Sequence, residues 1–125
     1  MQNDAFSLLP IIAQTIYDKK GFNILTLDMR KNSSITDYVV IAEGNVDRHV
    51  IAMGKAIESA LSEIGEYPVH VEGMQAGDWV VLDYMQVMVH LFVPGVREKY
   101  QLELLWQEAE IVDVNIHVDC QRASS

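Results

Sequence analysis

Two valine-rich segments, residues 79–84 (WVVLDY) and 87–93 (VMVHLFV), stand only two residues apart. β-branched and aromatic residues at this density favour strands, and so short a connection makes the strands pair antiparallel as a hairpin. With Met85 and Gln86 as the loop, the numbers of cross-strand partners sum to 171, which sets Trp79 against Phe92, Val81 against His90 and Asp83 against Met88. Strand side chains alternate, so those six share one face while Val80, Leu82, Val89 and Leu91 share the other. The second face is wholly aliphatic, and helices are expected to pack there. The first mixes aromatic rings and a methionine with an aspartate and a histidine, the composition that protein interfaces favour. It reads either as a partner-binding surface with Trp79 as anchor, or as the floor of a second covered core.

The segment 36–42 (TDYVVIA) carries few polar interruptions, as expected of a strand covered on both faces. That points to layers of helix on sheet. Ala5, Phe6, Leu8, Leu9, Ile12, Ala13 and Ile16 recur at helical spacing. Asn3 or Ser7 is the expected cap, and Pro10 places the regular part from near Ser7. Val50, Met53, Ile57, Leu61 and Ile64 form the stripe of a second helix, with Asn45 as cap, Asp47 in the first turn and Gly65 at the end. Residues 23–28 alternate as a strand, and 68–72 read as a short strand held to an edge by Pro68. Residues 96–106 suggest a short helical or turn-rich segment. The order α, β, β, α, β, β, β, α implies an α/β fold: a mixed sheet with helices packed on it. The connection after 36–42 is long enough for a parallel crossover.

At 125 residues the chain fits one domain, and a composition of 50% hydrophobic against 22% charged residues supports a folded core. The net charge of −9 is uneven, because residues 51–110 hold three bases and ten acids. Such a surface repels phosphate, so no direct nucleic-acid recognition is expected, and it suits a basic partner. The single cysteine, Cys120, the lack of a basic N-terminal flank and the lack of a long apolar run lead to the expectation of a cytoplasmic protein with no membrane partner. Nucleophile elbow, phosphate loop, dinucleotide fingerprint and zincin motif are all missing, so no cofactor and no catalytic residue is expected. Cys120 with His117 makes a poor nucleophile and base, since three residues apart on a strand they face opposite sides. Asp78, Asp83 and His90 read as polar spots on a sheet rather than metal ligands.

The stretch DYVVIAEGNVDRHV at 37–50, then Glu72-Gly73, Gly77-Asp78-Trp79, the strands that follow, and Arg97, Tyr100, Leu102, Glu103 and Trp106 together resemble the ribosomal silencing factor family, also called Iojap or YbeB-like. The likeness covers about residues 4–107, and residues 1–107 are taken as the family domain, with 108–125 as a C-terminal extension. It implies a nucleotidyltransferase-like fold lacking that superfamily's catalytic carboxylates. It also implies a non-enzymatic function: binding large-subunit ribosomal protein fourteen, blocking the joining of large and small subunits, and so repressing translation when nutrients run short. A homodimer is also suggested. The mixed hairpin face lies in the strands where the resemblance is densest, and its residues Trp79, Val81, Asp83, Met88, His90 and Phe92 are the partner-binding residues expected. The alternatives are a nucleotidyltransferase-related enzyme acting on nucleotides or RNA, and a purely structural dimerisation module. Where the family usually has Gly-Asp at the hairpin tip, this chain has Met85-Gln86. In the extension, residues 112–119 (VDVNIHVD) alternate strictly, as expected of a half-buried strand added to a sheet edge, either its own or a second subunit's.

Overall fold

Asp4 starts helix α1 (Ala5–Asp18): its carboxylate accepts the Ser7 N–H at 2.8 Å, and the Ser7 hydroxyl donates to the Asp4 carbonyl at 2.8 Å. The exchange satisfies an N–H that the first helical turn leaves without a partner. The cap is therefore Asp4, not Asn3 or Ser7, and the helix begins earlier than Pro10 suggested. Pro10 lies inside it, on the exposed side with Phe6, so the Phe6 carbonyl deprived of its helical donor faces water. The computed structural model describes residues 4–31, 36–96 and 110–112.

After α1 come β1 (Phe22–Asp28), β2 (Tyr38–Glu43), α2 (Asp47–Ser62), β3 (His70–Glu72), β4 (Trp79–Asp83), β5 (Val87–Phe92) and β6 (Glu110–Ile111). They form a six-stranded sheet in the order β3-β4-β5-β2-β1-β6. β2 and β5 run parallel, and every other neighbouring pair is antiparallel. The crossover through α2 carries the chain from β2 to the far edge at β3, and the meander β3-β4-β5 brings it back beside β2. All six residues of β2 are buried, as an apolar strand inside the sheet should be. β3 follows Pro68 and lies at an edge, in keeping with the proline.

Both helices pack on one face. Leu9, Ile12 and Ile16 of α1 and Val50, Met53, Ile57 and Leu61 of α2 meet Val40, Val80, Leu82, Val89 and Leu91 of the sheet. Burial of each such side chain contributes roughly 1.5–3 kcal/mol, which makes this layer the main source of stability. A second cluster on the opposite face joins Leu27, Met29, Val39, Ile41 and Phe92, flanked by Trp79 and Met88, and among the described residues it contains no helical residue.

The start of α2 differs from the sequence expectation. Val46 holds the cap position and makes no side-chain bond, while the Asn45 N–H donates to His49 Nδ1 at 2.9 Å. Within the first turn the Arg48 N–H donates to Asp47 Oδ1 at 2.7 Å, while His49 reaches back from it and satisfies the Asn45 N–H ahead of the helix. With Nδ1 accepting, the ring proton sits on Nε2, which donates to the Lys19 carbonyl at the end of α1 at 2.6 Å. One imidazole thus ties the end of α1 to the start of α2. At the other end of α2, the Gly65 N–H donates to Ser62 O and the Glu66 N–H to Leu61 O, the paired closing bonds of a Schellman motif, so Gly65 ends the helix as expected.

Glu110 and Ile111 pair antiparallel with Asp28 and Leu27 of the chain's own β1, and the Val112 N–H donates to Thr26 O at 2.8 Å. Val112 packs against the helix-side core. The strand thus begins at Glu110, ahead of the alternating stretch. Most of the segment expected over 96–106, the rest of the alternation, and Cys120 with His117 lie outside the described residues.

Candidate partner-binding face

The hairpin register matches the alternation argument: Trp79 pairs with Phe92, Val81 with His90 and Asp83 with Met88. Register depends on the turn, and the turn lacks glycine. The Tyr84 N–H donates to Val87 O at 2.9 Å across Met85 and Gln86, with Met85 held at φ 69°. That conformation is costly for methionine, and two sets of bonds stabilise it. Asp83 Oδ1 accepts the Met85 N–H at 2.8 Å, and the Gln86 carbonyl accepts the N–H groups of Asp37 and Tyr38. The tip is held by its neighbours rather than by its own sequence, and Asp83 is a turn-holding residue as well as a face residue.

Trp79 is aimed by the loop before it. Gly73 and Gly77 sit at φ 85° and 80°, and the Gly77 N–H donates to Gly73 O at 2.9 Å. A Cβ on Gly73 would overlap the Trp79 carbonyl, and one on Gly77 would come within 2.8 Å of the Asp47 carbonyl of α2. Both positions therefore require glycine, and together they seat the start of β4 on the first turn of α2. The Glu72-Gly73 and Gly77-Asp78-Trp79 pattern is the local code for that placement.

On the face itself, the Trp79 and Phe92 rings meet edge to face with centroids 6.2 Å apart. Trp79 Nε1–H donates to His90 Nδ1 at 3.2 Å, the rings lying 6.1 Å apart. Burial pushes the His90 imidazole down to about 4, so it is neutral near pH 7 and its proton sits on Nε2. Trp79, Val81, Asp83, Met88 and His90 are half-buried, which leaves each with surface on this face. Phe92 is fully buried, and this corrects its assignment: its ring meets Trp79 edge to face and has no surface to offer a partner.

The structure adds residues that the hairpin argument missed. His70 and Glu72 of β3 pair in register with Asp83 and Val81 and so extend the face to the sheet edge, with His70 Nε2 and Glu72 Oε1 2.7 Å apart. Their alternation was visible in the sequence, but a three-residue strand gives no register by itself. At the other side Glu43 is buried, aligned with Phe92, and accepts a hydrogen bond from Asn23 Nδ2 at 2.9 Å. Glu72 and Asp83 give the open part of the face an acidic rim. Asp78, Asp83 and His90 do not converge: Asp83 turns to Met85 and His90 to Trp79, and among the described residues no group of three His, Cys, Asp or Glu side chains is placed to hold a metal. Among the same residues no helix is long and apolar enough to cross a membrane.

Residues 2–125 match the family described as ribosomal silencing factor during starvation. The chain is 37% identical over 109 residues to ribosomal silencing factor RsfS of Bacillus subtilis, covering 87% of this chain and 92% of that protein. It is 37% identical over 103 residues to the RsfS of Zymomonas mobilis, covering 82% and 77%. A crystal structure of a protein from Chromobacterium violaceum superposes with a TM-score of 0.81 at 28% identity, covering 98% of this chain and 100% of that one. The family pattern thus runs along nearly the whole sequence, and relatives of the same description are matched over most of their length, so this protein belongs to the ribosomal silencing factor family, RsfS.

Proposed function

We propose that this protein acts in the cytoplasm as a ribosomal silencing factor that binds large-subunit ribosomal protein fourteen and blocks subunit joining by occupying the space the small subunit needs. Family membership over residues 2–125 carries the reading. The face supports it: a half-buried tryptophan beside Val81 and Met88, rimmed by Glu72 and Asp83, suits a basic partner with an apolar centre. The action is binding without turnover. Val81, Met88 and Trp79 supply contact area, and the acidic charge speeds the encounter.

The test is sedimentation of the protein with purified large subunits at two salt concentrations, followed by addition of small subunits. Co-sedimentation, slower association at high salt and fewer joined ribosomes are expected. Absence of co-sedimentation at low salt, or binding that leaves joining unchanged, would rule the reading out.

A further inference from the structure

We infer that His90 is a positioning residue: by accepting the Trp79 Nε1–H at Nδ1, it fixes which edge of the indole the face presents to its partner. This rests on the reading of the face given above. Phe92 is fully buried and touches the indole edge to face, which limits how deep the ring sits. A ring contact of that kind does not choose between the two flipped orientations of the indole, because the torsion that turns a tryptophan ring is broad and has two wells. Only one orientation brings Nε1 within 3.2 Å of His90 Nδ1.

The placement of His90 explains why a polar ring stands between two apolar cross-strand neighbours. It lies between Val81 of β4 and Ile41 of β2, in a sheet interior where valine would pack at lower cost. An imidazole there is stable when a donor meets it, and Trp79 is that donor. The cross-strand register makes the pairing possible, since Trp79 is the diagonal neighbour of His90 on the same face. Orienting the indole before the partner arrives removes an ordering cost from association, which is how a residue with little contact of its own strengthens binding.

The experiment uses the full chain with His90→Leu, which removes the acceptor at similar volume, and His90→Asn, whose Oδ1 stands near the position of Nδ1. The first readout is the indole N–H resonance of Trp79 in the free protein, assigned by its loss in Trp79→Phe. His90→Leu is expected to move that resonance and speed its exchange with solvent, and His90→Asn to restore both. The second readout is co-sedimentation with large subunits, expected to weaken about 5-fold in His90→Leu and to recover in His90→Asn, the size set by one hydrogen bond. In a Trp79→Phe background, which has no indole N–H at position 79, His90→Leu should add nothing. An unmoved indole resonance in His90→Leu, or a Trp79→Phe background in which His90→Leu still weakens binding 5-fold, would overturn the inference. Should His90→Leu not fold, the inference stands if His90→Asn keeps the wild-type resonance and falls if it does not. Failure of the wild-type protein to bind large subunits would refute the proposed function, while the indole readout would still decide the role of His90.

Discussion

Gly73 lies against the carbonyl of Trp79 so closely that a Cβ on it would overlap that oxygen. The contact is backbone to backbone, so no side-chain motion relieves it. Gly73→Ala is expected to lose at least about 2 kcal/mol, through the strain at positive φ and the displacement of β4 together. The midpoint of urea unfolding measures it, and an unchanged midpoint would show that the loop adapts.

Trp79→Ala separates binding from folding. The side chain is half-buried, and the aliphatic face beneath it is complete without it. Binding to large subunits should weaken by about 2 kcal/mol or more while the circular dichroism spectrum holds. A folded variant with wild-type affinity would remove Trp79 from the interface.

Acid should weaken the fold through His90. Its folded value is about 4 against 6.5 for the free side chain, so the unfolded chain takes up a proton first as pH falls. Stability from this group is therefore complete above about pH 6.5, declines between 6.5 and 4 and levels off below, by about 3 kcal/mol in all. Among the described residues the register places Asp83 of β4, Glu43 of β2, and Glu72 and His70 of β3 on the same face as His90. Unfolding measured at pH 7, 5 and 4 should show a shallower decline in His90→Asn than in wild type.

His49→Ala removes both the acceptor for the Asn45 N–H and the donor to the Lys19 carbonyl. A loss of about 1–2 kcal/mol is expected, the usual effect of deleting a helix-start hydrogen bond. Hydrogen exchange should localise the loss, with the Asn45 amide becoming the fastest to gain.

Deleting residues 110–125 uncovers the outer edge of β1. Loss of the pairing to Leu27 and Asp28 and of the Val112 contact to the core should lower the melting temperature by several degrees and raise the tendency to aggregate. A truncated chain that melts with the full one would show that the edge strand adds nothing.

The hairpin was legible from the sequence because its information is local. Alternation assigned each of Trp79, Val81, Asp83, Met88, His90 and Phe92 to one face, and a two-residue loop set the register. The stripe of α2, the burial of β2 and the edge position of β3 after Pro68 followed from period and composition in the same way. Tertiary structure decided what depends on residues distant in the chain. Asn45 has the chemistry of a cap, but Val46 takes the cap position and the Asn45 N–H is held by His49, itself anchored on the Lys19 carbonyl of the preceding helix. Phe92 has the pattern of a face residue, yet it is fully buried in a cluster with Leu27, Met29, Val39 and Ile41, because β2 lies alongside β5 through a crossover that no local signal dictates. Alternation tells which way a side chain points, whereas burial depends on what the rest of the chain lays over it.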